Sequence, residues 1–221
     1  EIIVHPNNSN IIWAASQGPL WSPGGERGLY KSIDGGENWK KVLGGGKWTG
    51  VTDIHMDPRN PDRIYAATWQ RHRTVAALMG GGPESGLHRS EDGGETWTEL
   101  KSGLPNYAGK IGFTLSPQKP DVLYASIELE KRNGAVYKSE DRGSSWKKMS
   151  DLSLGYGTGP HYYQELFASP HKFDRLYLMN VRILTSEDGG KTFVELTERS
   201  KHSDNHAIAF REDDPNYLLV G

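Results

Sequence analysis

His202, Asp204 and His206 alternate over five residues, and on an extended strand all three side chains project to one side. Two imidazoles and a carboxylate placed in that way are a candidate transition-metal site, with His161 approaching from an earlier loop. The competing arrangement is a hydrogen-bonded His–Asp network that braces the strand, and no resident metal or cofactor is assigned. Asp53, Glu165 and Asp204 are the candidate acid/base carboxylates. Each stands near the start of an expected strand, and glycoside hydrolysis requires two carboxyl groups about 5–10 Å apart. No spacing in the chain pairs them. A third group mixes aromatic and cationic side chains: Trp21, Trp48, Trp69, Arg71, His72, Tyr107, His161, Tyr162, Tyr163, His202 and His206. Such a mixture suits sugar rings or extended peptide, although the same rings can close over loop ends as small satellite cores. Arg27, Arg71 and Arg182 do not form a recognisable arginine cluster.

The most repeated residues carry a different chemistry. Ser32-x-Asp34-x-Gly36-x-x-Trp39 returns as Ser90, Asp92, Gly94 and Trp97, as Ser139, Asp141, Gly143 and Trp146, and as Ser186, Asp188, Gly190 and Phe193. The serines are 58, 49 and 47 residues apart, a period that denotes an array of supersecondary units. Asp-Gly turns suggest calcium, but each copy has one invariant carboxylate where calcium takes about 6–8 oxygen ligands. A hairpin staple accounts for every recurrent position. The Asp and Ser oxygens accept turn N–H groups, glycine supplies positive φ, and the aromatic ring opens the last strand and packs between sheets.

A second pattern lies between copies of the first. Met56-Asp57-Pro58 followed by Arg63–Ala67 has relatives at His5-Pro6, Ser116-Pro117, Ser169-Pro170 and Asp214-Pro215. The polar Pro-centred cluster reads as a turn and its β-branched and aromatic flanks as strands. In the second unit the four expected strands are about 51–57, 63–69, 86–90 and 96–100. The fold class is therefore all-β, a β-propeller of four-stranded antiparallel blades spanning about 1–43, 51–100, 110–149 and 163–196, with a half blade at 206–221. Four and a half blades lead to the expectation that residues 1–221 are part of a larger ring completed by more of the same chain. Both repeated motifs fall on one face. The segments of uneven length, 15–28, 68–86, 126–134 and the links 44–50, 101–110, 150–163 and 197–206, fall on the other, where function is expected.

Composition narrows the partners. A formal net charge of −2, from 26 basic and 28 acidic residues, offers no case for nucleic acid or an anionic membrane. No apolar run approaches the ~20 residues that span a bilayer. Cysteine is absent, which removes disulfides and thiolate metal ligands.

Four copies of Ser-x-Asp-x-Gly-x-Thr-Trp identify the Asp-box, or bacterial neuraminidase repeat. Across its whole length the chain resembles large, mostly secreted bacterial proteins with sortilin-like propellers that are often described as glycosyl hydrolases. The resemblance rests also on Gly18–Trp21, Glu26–Gly28, Tyr65–Arg71, Gly80–Pro83 and Lys201–Ala207. It implies an extracytoplasmic location. Sortilin-like propellers bind peptide, so the resemblance places first a non-catalytic binding or scaffold propeller that takes protein or peptide on its irregular face. A glycoside hydrolase-type propeller acting on or binding polysaccharide is the alternative. Xyloglucanases share this propeller and use two aspartates, but their surrounding motifs have no match here.

Overall fold

The computed structural model describes residues 1–152, 163–196 and 201–221. They are all-β, with a 3-10 turn at Glu130–Arg132, and constitute part of a β-propeller. The chain divides into two compact units, one of Glu1–Lys101 with Pro105–Ile111 and one of Ser102–Leu104 with Gly112–Gly221.

In the first unit, β1 (Ile2–Val4), β2 (Ile12–Ser16), β3 (Gly28–Ser32) and β4 (Lys40–Leu43) form an antiparallel meander. A second sheet follows from β5 (Thr49–Asp57) and β6 (Asn60–Gln70). The chain then makes a small hairpin, β7 (His72–Arg73) and β8 (Leu78–Met79), before β9 (Gly86–Ser90) and β10 (Thr98–Leu100) complete that sheet in the order β5-β6-β9-β10. The two sheets bury a shared layer of Trp13, Leu29, Val51, Ile54, Ile64 and Ala66. Each fully buried Leu or Ile in it contributes roughly 1.5–3 kcal/mol. Ile64 to Trp69 are buried without interruption, as expected of a strand covered on both faces.

In the second unit, β11 (Ile111–Leu115), β12 (Leu123–Glu128), β13 (Gly134–Ser139) and β14 (Lys147–Leu152) form one meander, and β15 (Leu166–Ala168), β16 (Leu176–Leu178), β17 (Leu184–Ser186) and β18 (Val194–Glu195) form the next. The pair β19 (Ile208–Phe210) and β20 (Leu218–Val220) follows. Tyr124 and Val122 pack with Leu166, Leu176 and Leu178; Tyr177, Met179 and Ile183 pack with Ile208, Phe210, Leu218 and Val220.

Each first turn has its own side-chain cap. The residue before the proline accepts a turn N–H: His5 Nδ1 from Asn7, Asp57 Oδ1 from Arg59, Ser116 Oγ from Lys119, Ser169 Oγ from His171 and Asp214 Oδ1 from Asn216, at 2.9–3.3 Å. Proline at the next position suits a turn because its φ is already set. β6 begins at Asn60 rather than near 63, since Asn60 pairs with Asp57 across a bulge. β10 begins at Thr98 rather than near 96, because the Thr96 amide is taken by the Asp92 carboxylate at 2.9 Å.

Candidate functional site: the irregular loop ends

Two ends of each sheet compete for the site, and hydrogen bonds separate them. In all four Asp-boxes the Ser hydroxyl donates to Asp Oδ1 at 2.7–2.8 Å and accepts the amide of the second glycine position at 2.8–2.9 Å. Asp Oδ1 also accepts the amide four residues on, and Oδ2 accepts that residue's side chain, from Asn38, Thr96, Ser145 or Thr192. Trp39, Trp97 and Trp146 donate their indole N–H to the glycine carbonyl, and Phe193 keeps the ring without the donor. Trp39 is the exception to packing between sheets, being 42 % exposed.

These bonds hold the carboxylates ionised. The Asn38 amide and side chain pull Asp34 down to about 2. At Asp188 burial pushes upward but is outweighed by the Thr192 and Ser186 bonds, leaving it at about 2. A carboxylate whose oxygens are filled this way is a structural staple. Each Asp-box also donates an amide to the Pro-centred turn of its own sheet: Gly35 to Asn10, Gly93 to Asp62, Arg142 to Asp121 and Gly189 to Asp174, at 2.8–3.0 Å. Both repeated motifs therefore occupy the same end, and the described parts of the uneven segments occupy the other.

At that other end of the second unit, Tyr163, Asp204, His206 and Glu165 come together. The Tyr163 hydroxyl donates to Asp204 Oδ1 at 2.6 Å, the Tyr163 and His206 rings stack at 4.9 Å and 17°, and His206 Nδ1 lies 4.0 Å from Glu165 Oε2. The expectation that His202, Asp204 and His206 share one side of a strand fails. Asp204 has φ +76°, the segment precedes β19, and His202 Nδ1 contacts the Ser203 carbonyl instead. Positive φ turns the chain, so alternation no longer places side chains together. Among the described residues no group of three or more His, Asp or Glu side chains is placed to hold a metal ion. His161 and Tyr162 lie outside the described residues.

In the first unit, Asp53 is 3.2 Å from His55 Nε2 and hydrogen bonds to the carboxyl of Glu1, whose Oε2 accepts the Ile54 amide at 3.0 Å. Residue 1 is exposed as a whole, but its carboxyl faces this buried amide. Burial, then the Asp53 charge and hydrogen bond, push Glu1 up to about 7. Glu1 was not among the candidate residues, yet the register contains it. Glu1, Asp53, Gly112 and Glu165 each stand five residues before the turn proline. At Gly112 a side chain would meet the Gln164 carbonyl, which explains the missing carboxylate. Two carboxyls in direct contact leave no room for a glycosidic oxygen between them, so Glu1 and Asp53 as placed are not an acid/base pair of the glycosidase kind.

The aromatic candidates divide. Trp69 and Tyr163 are buried, at 1 % and 7 % exposure, and are not open ligand platforms. Trp69 donates its indole N–H to the Gly80 carbonyl, because large rings at loop ends are stable once their polar edge is satisfied. A side chain at Gly81 would meet the Ala108 carbonyl and the Tyr107 hydroxyl, and one at Gly82 would displace the Gln70 side chain. Arg27 is a clasp: it is buried and donates to the carbonyls of Gln17, Pro19, Ser22 and Trp48. Trp21, Trp48, His72 and Tyr107 retain exposed or half-exposed surface.

The sequence model of the family described as "Sortilin, neurotensin receptor 3" (Sortilin-Vps10) matches residues 27–156. A probable oligoxyloglucan-reducing end-specific xyloglucanase of Neosartorya fischeri is 24% identical over 73% of the chain and 22% of its own length. A xyloglucanase of Hypocrea jecorina is 25% identical over 72% of the chain and 19% of its length. The chain thus spans about a fifth of these curated relatives. Among solved structures, the Niastella koreensis GH74 enzyme superposes with TM-score 0.57 at 21% identity, covering 88% of this chain and 28% of that one, a likeness of fold. These relatives overturn the expectation of a non-catalytic propeller that recognises protein or peptide: the curated sequences similar to most of this chain are named as xyloglucanases.

Proposed function

The chain belongs to the Sortilin-Vps10 family, and we propose that it is part of a glycoside hydrolase-type propeller that acts on or binds a polysaccharide outside the cytoplasm. The observation that carries this reading is the similarity of about seven-tenths of the chain to xyloglucanases. The geometry is compatible with it. Function is assigned to the irregular loop ends, since the opposite ends have their polar groups committed to the Asp-box and turn networks. Among the described residues no helix is long and apolar enough to cross a membrane.

Glu165 and Asp204 are the proposed acid/base residues. They flank the stacked Tyr163–His206 pair, whose rings would hold the two carboxyl groups apart. A sugar oxygen and a water could then reach both sides of a glycosidic bond. The test is release of reducing ends from xyloglucan and other β-glucans by the whole chain, alongside retention of the protein in polysaccharide-containing gels. Glu165→Gln and Asp204→Asn are each expected to lower hydrolysis by about 100-fold or more while the thermal transition and glycan retention persist. Neither hydrolysis nor retention with any polysaccharide would sink the proposal.

A further inference from the structure

We infer that the loop ends of the first unit form a binding site for an acidic polysaccharide, whose sugar rings carry carboxylate or sulfate groups, built from Trp21, Arg71 and Arg73. This deepens the glycan-directed reading above and rests on it. Arg59, Arg63, Arg89, Arg175, Arg182 and Arg211 each pair with a carboxylate. Arg71 and Arg73 differ. Among the described residues their guanidinium groups have aromatic contacts and no hydrogen bond or ion pair, and Arg71 Nε is buried without an acceptor.

Neither Glu84 nor Glu26 forms an ion pair with these guanidinium groups. Glu84 accepts the Gly46 amide at 2.9 Å and the Thr49 hydroxyl, and Glu26 accepts the Tyr30 hydroxyl at 2.9 Å. Burial, and then the second positive charge of nearby Arg27, lowers the Arg71 pKa. A partly buried guanidinium beside another, with no carboxylate paired to it, is electrostatically costly unless an anion arrives.

The site is also held in shape. The Arg71 amide donates to Trp48 and the Arg73 amide to Leu20, at 3.1 and 3.0 Å, so two loops of the first unit fix this segment. Arg71 lies 4.5 Å from the Trp69 ring centroid and Arg73 5.2 Å from that of Trp21, while His72 packs on Trp48 at 4.3 Å. A guanidinium lying on an aromatic face keeps its N–H edge free, and that edge matches the two oxygens of a carboxylate or sulfate. Trp21 is 59 % exposed and supplies an apolar face for a sugar ring beside the charge. A net charge of −2 argues that the attraction is local rather than a general affinity for polyanions.

The experiment is affinity electrophoresis and calorimetry of the whole chain against polygalacturonate, carrageenan and neutral xyloglucan. Arg73→Gln, Trp21→Ala and, as a control, Arg211→Gln are compared, with thermal melts to verify folding. The expected result is binding to polygalacturonate or carrageenan that weakens about tenfold in Arg73→Gln and in Trp21→Ala and is unchanged in Arg211→Gln. The preferred polymer names the anion. Acid-glycan binding insensitive to both changes would be non-specific adsorption and would overturn the inference. Binding to xyloglucan alone would overturn it while leaving the proposed function standing; binding to none of the three would overturn it, and the proposed function would fall with it once hydrolysis was also absent.

Discussion

Ser139 is 1 % exposed, and its hydroxyl both donates to Asp141 and accepts the Gly143 amide at 2.9 Å. Removing that oxygen strands a buried N–H, which costs more than the net value of an ordinary hydrogen bond. Ser139→Ala is therefore expected to destabilise the second unit by roughly 1–3 kcal/mol, read as a lower denaturant midpoint at unchanged slope. An unchanged midpoint would show that the staple is dispensable. Glu1 behaves in the opposite electrostatic sense to the Asp-box carboxylates. Its pKa is raised from 4.5 to about 7, by burial first and then by Asp53, with His55 opposing. Its folded state favours the proton, so stability is fully present below pH 4.5 and declines as pH rises through 7. Glu1→Gln is expected to flatten the stability profile of the first unit over that window.

The hairpin carrying each Asp-box depends on two successive positive-φ positions. Gly35 and Gly36, Gly93 and Gly94, and Gly189 and Gly190 satisfy both with glycine, whereas the third copy uses Arg142 at φ +61° before Gly143. A side chain there costs about 1–2 kcal/mol, and the 3.9 Å contact of Arg142 with Asp121 is an exposed pair of small value. Arg142→Gly should accordingly be neutral to stabilising by up to about 1 kcal/mol despite glycine's larger unfolded-state entropy. Gly190→Ala should destabilise by about 2 kcal/mol or more. It adds the left-handed penalty to a contact 2.6 Å from Val136 Cγ1 on the neighbouring sheet. Thermal melts of the two variants, shifting in opposite directions or with only Gly190→Ala falling, check this; equal losses would refute it.

At the scale of the molecule, the same carboxylate recurs on sheets of both units, so acid should act on both in one window. All four Asp-box carboxylates have lowered pKa values, Asp34 and Asp188 falling from 3.8 to about 2. For a depressed pKa the stabilisation is present above pH 3.8 and disappears as pH falls through 2. Circular dichroism and tryptophan fluorescence, followed from pH 5 to about pH 2, should lose stability together across that range. A plateau down to pH 2 would contradict the staple electrostatics.

Local interactions explain what was readable from residue order alone. The Asp-box and its Pro-centred partner are closed within a few residues by side chains that fit one turn geometry, so spelling reveals the hairpins and hence the all-β propeller class. The carboxylate five residues before three of the five turn prolines was equally present, but Glu1 and Glu165 acquire meaning only beside Asp53 and His206, 52 and 41 residues away. The loop ends were legible as a region and not as a site. Which aromatic is buried, as Trp69 is, and which is offered, as Trp21 is, depends on the segment that packs against it. The expected alternation of His202, Asp204 and His206 failed at a single backbone angle. Turn chemistry is short-range and survives in sequence; the pairing of charges and the exposure of rings arise from long-range packing, which only the tertiary structure decides.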